Sequence, residues 1–184
     1  RALSSSEVRQ LAQGAAPVLW LDFEDKWATN SITLTDRSGW QHPILLSGNH
    51  GGGDNINKSM VGGVGDFALH FDGIEDRVDV PSHAALDLSH GEFSEAVWVR
   101  PEGGNTSSGR MIVGYRDPAN PAKRYPSLFV VNDFQLGYGF GDGVNDNIGF
   151  TDSALTTGSW NFVAATYDGT SYKIYVNGQL IKTD

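Results

Sequence analysis

The sequence predicts an all-β protein built of antiparallel strands. Three observations carry this. The stretch Trp160 to Leu180 alternates with the period of a strand and is punctuated by Asp168-Gly169 and Asn177-Gly178, dipeptides that tolerate positive φ and mark tight turns. Glycine is abundant, at 23 of 184 residues, as many short strands and turns require. From Val18 onward the chain reads as strands and loops throughout.

Taken in order, the chain opens on a short helix. Ser4 is placed as its N-cap and Glu7 at the third helical position, with Val8, Leu11 and Ala12 on one face. Gly14 and Pro17 stop it, so the helix spans Ser4–Gln13. Strands are expected at 18–24, 42–46, 67–72, 76–80, 92–100, 110–116, 126–131, 134–140, 147–150, 160–167, 171–176 and 179–182. The Gly/Asn-rich stretch 47–66 and the stretch 101–109 read as loops, and Pro118, Pro121 and Pro126 mark an irregular connection. Asn57-Lys-Ser59 and Asn105-Thr-Ser107 fit the glycosylation sequon.

The residues also carry a family resemblance. Trp160-Asn-Phe-Val-Ala-Ala-Thr-Tyr-Asp-Gly169 running into Lys173-Ile-Tyr-Val-Asn-Gly178 resembles the closing hairpin of the laminin G-like (concanavalin A-like lectin/glucanase) superfamily. Leu69-His-Phe-Asp-Gly-Ile-Glu-Asp-Arg-Val78, Phe93-Ser-Glu-Ala-Val-Trp-Val-Arg-Pro101, Val18-Leu-Trp-Leu-Asp-Phe-Glu24 and Asp36-Arg-Ser-Gly39 resemble its upstream elements. The resemblance implies a two-sheet antiparallel β-sandwich, a jelly roll. It also likens Arg1-Ala-Leu-Ser-Ser-Ser-Glu-Val-Arg-Gln-Leu11 to the tail that closes bacterial repeats of this kind. The expected organisation is therefore residues 1–17 as the tail of a preceding repeat plus linker, and 18–184 as the sandwich, with its closing strand still to come. An open sandwich exposes a sheet edge, which a neighbouring repeat or another copy of the chain would cover.

Composition bounds the partners. Net charge is −9, and the 13 basic residues are scattered rather than striped, which argues against nucleic acid. No run of about 18 apolar residues exists, so no membrane-inserting helix is expected. There is no cysteine, which removes disulfides, thiol catalysis and Cys-type zinc sites. Trp20, Trp98 and Trp160 sit in strand patterns and read as core, whereas Trp27 and Trp40 lie in loop contexts. The five histidines, at 42, 50, 70, 83 and 90, show no zinc-binding spacing.

Three constellations are candidates for chemistry. An acidic set flanks the opening segment and the Phe-Asp-Gly element. Calcium takes six to eight oxygens at loop-rich corners, and Gly73 permits a tight turn that lets Asp72 and Asp76 face one ion. Some family members carry calcium at such a rim. The resemblance thus nominates Glu24 or Asp25 with Asp72 and Asp76 as a structural calcium site, against the alternative that these carboxylates cap turns. The loop Asp142–Asn147 reads as a polar hairpin rather than a calcium loop. Aromatic residues of the mid-chain strands offer a sugar surface, since sugars stack on exposed rings and Arg bonds their hydroxyls. Tyr115, Arg116 and Tyr138 are nominated for it, and Phe134 and Phe140 for the core.

Enzymatic signatures are missing. Retaining glycosidases of this superfamily carry Glu-x-Asp-x-x-Glu on one strand, which sets two carboxyl groups about 5 Å apart. Glu92-x-x-Glu95 lacks the middle Asp, and no Gly-x-Ser-x-Gly elbow occurs. The expected function is a non-catalytic extracellular recognition or adhesion module binding glycan or another surface polymer, as part of a larger multidomain protein; the alternative is a structural repeat of a cell-surface fibre, sheath or stalk, and a minor alternative is a glycoside hydrolase or lyase.

Overall fold

A computed structural model describes residues 17–25, 34–47, 57–60, 67–73, 76–88, 91–103, 109–117, 119–120, 122–132 and 134–184. The expected helix Ser4–Gln13 lies outside them. The described residues divide into two compact units, one ending at Leu86 and one starting at Asp87.

The second unit is a sandwich of two four-stranded antiparallel sheets. Its strands are β5 (Phe93–Val99), β6 (Arg110–Arg116), β7 (Lys123–Val131), β8 (Gln135–Asp142), β9 (Asp146–Ala154), β10 (Asn161–Tyr167), β11 (Tyr172–Val176) and β12 (Gln179–Thr183). One sheet runs β12-β11-β10-β5 and the other β6-β7-β8-β9. The first unit holds two short ladders, β1 (Leu45–Ser47) with β4 (Arg77–Asp79) and β2 (Asn57–Met60) with β3 (Phe67–His70). One 3-10 turn, Ala84–Leu86, ends it.

Alternation explains the core. Phe93 of β5, Val163 and Ala165 of β10, and Tyr172 and Ile174 of β11 point inward from one sheet. Leu128 and Val130 of β7 and Leu136 and Tyr138 of β8 point inward from the other. Rings join the layers: Tyr138 lies 5.2 Å from Tyr172, and Phe140 lies 5.2 Å from Tyr167, centroid to centroid. Such pairs add to the burial of their area by about 0.5–1.5 kcal/mol each.

The turns follow their residues. Asn177 and Gly178 both take positive φ, 52° and 81°, which is the two-residue turn expected between β11 and β12. The Asn177 side-chain oxygen also accepts the Phe162 N–H at 2.9 Å, tying the turn to β10. Asp168 Oδ1 accepts from the Thr170 and Ser171 N–H groups, and these bonds with the Lys173 ammonium draw its pKa down to about 2. Asp142 caps the β8–β9 hairpin likewise, accepting from Val144 and Asn145 at 2.8 and 2.7 Å, so this loop is the polar hairpin expected of it.

Three readings of the sequence are corrected. Residues 17–25 form no strand. Phe23 sits at φ 60°, which ends an extended run, and the Trp20 N–H bonds the Asp36 carboxylate rather than a neighbouring strand. Trp20, Trp98 and Trp160 are half-buried rather than core. Trp98 faces away from the sandwich interior, opposite Phe162, with ring centroids 5.1 Å apart. Period-two alternation shows that a residue shares a face with its i+2 neighbour, not which face is inside. Strand β2 falls within the stretch read as a loop, and its sequence, NKSM, carries no strand pattern of its own.

Candidate functional site

The face of the β6-β7-β8-β9 sheet turned away from the core is organised in rows across the strands. One row, in register, is Met111–Phe129–Gly137–Phe150. The next is Gly114–Ser127–Gly139–Ile148, and the third Arg116–Arg124–Gly141–Asp146. The face thus grades from apolar, through small, to charged positions.

Each row has a physical logic. Gly137 leaves room for the Phe129 ring, which lies over it: a β-carbon there would sit 2.3 Å from the ring. Phe129 meets Phe150 edge to face at 6.1 Å, and Met111 and Phe150 remain open to solvent, each 43% exposed. The Arg124 guanidinium stands over the Phe129 ring at 5.8 Å, so its side chain crosses the row of small residues. Glycine and serine in that row are what let it cross, and Arg124 itself is buried. A pair of tyrosines, Tyr115 and Tyr125, lies at the same end as the charged row, with ring centroids 5.2 Å apart and Tyr115 exposed.

Of the ligand residues nominated from the sequence, Tyr115 is exposed and Arg116 lies in register with Arg124 on this sheet. Tyr138 is corrected. It is 2% exposed and points into the core, where it hydrogen-bonds Asp184, so it presents no face to a sugar. The Tyr138 hydroxyl is pushed well above the ordinary phenol range by burial and by Asp184. Gly149 clears the space it fills, since a β-carbon there would sit 2.4 Å from the phenol oxygen.

The acidic residues are placed as follows. Glu24 Oε1 accepts the Phe67 N–H at 3.2 Å, and Asp25 accepts the Thr35 N–H at 2.7 Å and pairs with Arg37 at 2.6 Å. Asp76 accepts the Asp72 N–H at 3.0 Å across the Gly73 turn, where φ is 79°. Among the described residues no group of three or more His, Asp or Glu is gathered at metal-binding distance. An ion at Asp25 would have to displace Arg37.

Sequence reasoning missed two arrangements. The first is the row order above, because register between strands is not written in any one strand. The second is a cluster in the first unit formed by Asp36, Trp40, His42 and His83. Its signal was partly legible, as Trp40 stood out as a loop aromatic.

With this geometry in hand, comparison with known proteins places the chain. Residues 72–184 match the family model Laminin_G_3, described as the concanavalin A-like lectin/glucanases superfamily. The chain belongs to that family. No curated protein matches it. Among solved structures, it is similar to an S-layer domain-containing protein (residues 221–444) from Clostridium thermocellum. That likeness has a TM-score of 0.53 and 22% identity, over 90% of this chain and 71% of the other. It is also similar to domain 4 of AbnA, a GH43 extracellular arabinanase from Geobacillus stearothermophilus, in complex with arabinotriose. Here the TM-score is 0.55 with 20% identity, over 82% of this chain and 69% of the other. At these identities the likeness shows the fold. Among the described residues, no helix is long and apolar enough to cross a membrane.

Proposed function

We propose that the chain is a non-catalytic carbohydrate-binding module of a secreted or surface protein, and that sugar lies along the outer face of the β6-β7-β8-β9 sheet. The observation that carries this is the in-register row Met111–Phe129–Gly137–Phe150 beside a row crossed by Arg124. Exposed apolar and aromatic groups take the C–H faces of a pyranose or furanose ring, and neighbouring polar groups take its hydroxyls. The Arg116 position extends the outer face along β6, and the exposed Tyr115 ring, at the same end of the sheet, stands beside it rather than on it. A solved neighbour of the same fold was captured with arabinotriose, which makes arabino-oligosaccharides the first ligands to try. Calorimetric titration with arabinotriose and longer arabinans is expected to show binding that Phe150→Ala weakens by roughly tenfold, about 1.4 kcal/mol. Phe150 is exposed, so the melting temperature should barely move. Full-strength binding by the Phe150→Ala variant overturns this placement. A second reading, a structural repeat of a surface layer packing against neighbouring repeats or copies of itself, is motivated by the S-layer neighbour. It predicts ordered self-association in place of sugar binding.

Calcium at Glu24, Asp25, Asp72 and Asp76 is proposed as a stabilising ion of the first unit, competing with Arg37 for Asp25. Calcium held only by the folded chain should raise the melting temperature, by about 2.7 kcal/mol of stability at a hundredfold excess over Kd, and a chelator should lower it. A melting temperature indifferent to both removes calcium from this protein.

A further inference from the structure

The first unit buries an imidazole with one nitrogen in use and one idle. Asp36 accepts from the backbone N–H groups of Trp20, Ser38 and His42 at 3.0, 2.9 and 3.1 Å, and from the Ser38 hydroxyl at 2.8 Å. Both carboxylate oxygens of Asp36 thus face N–H or O–H donors, and the contact of Oδ2 with His42 Nδ1 at 2.7 Å puts the shared proton on Nδ1. In the neutral ring that fixes the tautomer and puts the lone pair on Nε2, the atom free to take a metal ion. The His42 side chain is 3% exposed, and Nε2 has no hydrogen-bond partner among the described residues.

A second imidazole lies beside it. The His83 ring centroid is 5.0 Å from that of His42, with the planes at 79°. His83 is exposed, and its Nδ1 faces the Ala85 N–H at 3.2 Å, so its Nε2 is turned away from its own turn. Trp40, 53% exposed, packs on both, with centroids 6.3 Å from His42 and 5.5 Å from His83. Two imidazoles sharing one ion at metal–nitrogen distances of about 2.0–2.1 Å and a tetrahedral angle place their centroids roughly 5 Å apart. The observed spacing matches. A carboxylate bonded to the far nitrogen of a ligating imidazole is also the usual support of such a ligand, fixing its orientation and raising its basicity.

We propose that His42 and His83 form a two-nitrogen site for a divalent transition-metal ion of the zinc, nickel or copper class, with Asp36 as the positioning residue behind His42 and water in the remaining positions. Imidazole nitrogen selects these ions over calcium and magnesium. On binding, the His83 proton moves from Nε2 to Nδ1 and the long bond from Ala85 is given up. Sequence spacing conceals the pair, since 41 positions separate the two histidines and neither lies in a ligand motif.

The test is zinc titration of the tag-free full chain by calorimetry, with imidazole nitrogens followed by NMR. One ion per chain is expected, with shifts confined to His42 and His83. His83→Ala removes an exposed side chain, so its melting temperature should stay that of the parent while zinc affinity falls by at least tenfold. Asp36→Asn should weaken zinc 10–100-fold, if it folds, through its hold on His42. No zinc uptake, uptake unchanged in His83→Ala, or shifts at the other histidines instead, each overturns the site.

Discussion

Gly139→Ala is expected to cripple the sandwich, with a melting temperature lowered by more than about 8 °C or no soluble chain at all. Gly139 sits in the middle of β8, between β7 and β9. A β-carbon there would lie 2.0 Å from the Asn147 carbonyl oxygen and 3.0 Å from the Ile148 Cα. Both are backbone atoms of the adjoining strand, so no rotamer change relieves the clash; β8 and β9 must part. The residue also holds φ at 149°, where a side chain is strained even in open space. A cost of roughly 4 kcal/mol or more is in the range reserved for buried clashes, and at about 2–4 °C per kcal/mol for a chain of this size it is a large shift. Gly158→Ala is the control. Its φ is 74° but nothing lies within 4 Å of the added carbon, so only the backbone strain of about 1 kcal/mol is expected. Thermal melts of the two variants separate packing from backbone preference. Equal shifts would show that close approach at β8 is not what the glycine serves.

Those glycines also show how much was legible beforehand. The closing hairpins were readable because Asp168-Gly169 and Asn177-Gly178 state their geometry locally, and both turns lie where they were expected. The sandwich was readable because several family elements occur along the one chain. The opening segment was misread because Val18-Leu-Trp-Leu-Asp-Phe-Glu24 has the composition of a strand, while its fate is decided by Asp36, which takes the Trp20 N–H from sixteen positions further along the chain. Tyr138 was misassigned for the same reason in reverse. Its strand alternates large residues with glycines, so the pattern fixes two faces without saying that the glycine face is outside and the aromatic face within. The candidate sugar face is assembled from register across four strands, and the His42–His83 pair from a contact between distant loops. Neither is a property of any short window of sequence.

The outer face and the core therefore divide the chemistry between them. The outward positions on β7 and β9 run from Phe129 and Phe150 through Ser127 and Ile148 to Arg124 and Asp146, with Phe150 the ring open to solvent. The inward groups include the polar side chains Glu95, Tyr172 and Tyr138, the last reaching out to the exposed carboxylate of Asp184. The Tyr172 hydroxyl donates to Glu95 Oε1 at 3.2 Å, and Tyr138 donates to Asp184. Ala165, which faces Glu95 across β5–β10 and Ile174 across β10–β11, is small and fully buried. Both phenols are held above the ordinary range, chiefly by burial. A carboxyl inside a glycosidase-related fold invites a catalytic assignment, but Glu95 has its partner in Tyr172 and faces the interior, away from the candidate sugar surface.

Glu95 instead makes stability depend on pH, and Glu95→Gln is expected to abolish that dependence. Burial raises the Glu95 pKa to about 8, with the Tyr172 hydrogen bond acting in the opposite direction. In the unfolded chain the same carboxyl titrates near its ordinary value of 4.5. Between these values the folded chain keeps a proton that the unfolded chain has released. Stability from this group is then complete below pH about 4.5, declines as pH rises, and is fully lost once pH passes about 8. The difference corresponds to an upper limit on the order of 4–5 kcal/mol, from about 1.4 kcal/mol per pH unit. The glutamine of the variant keeps an amide oxygen for the Tyr172 hydroxyl and has no charge to bury, so it matches the protonated acid in shape and lacks its titration. Melting temperatures from pH 5 to 9 should fall for the parent and stay nearly level for Glu95→Gln, with the variant the more stable by several degrees at pH 9. Curves that run parallel across this range would show that Glu95 is ionised and satisfied in the fold.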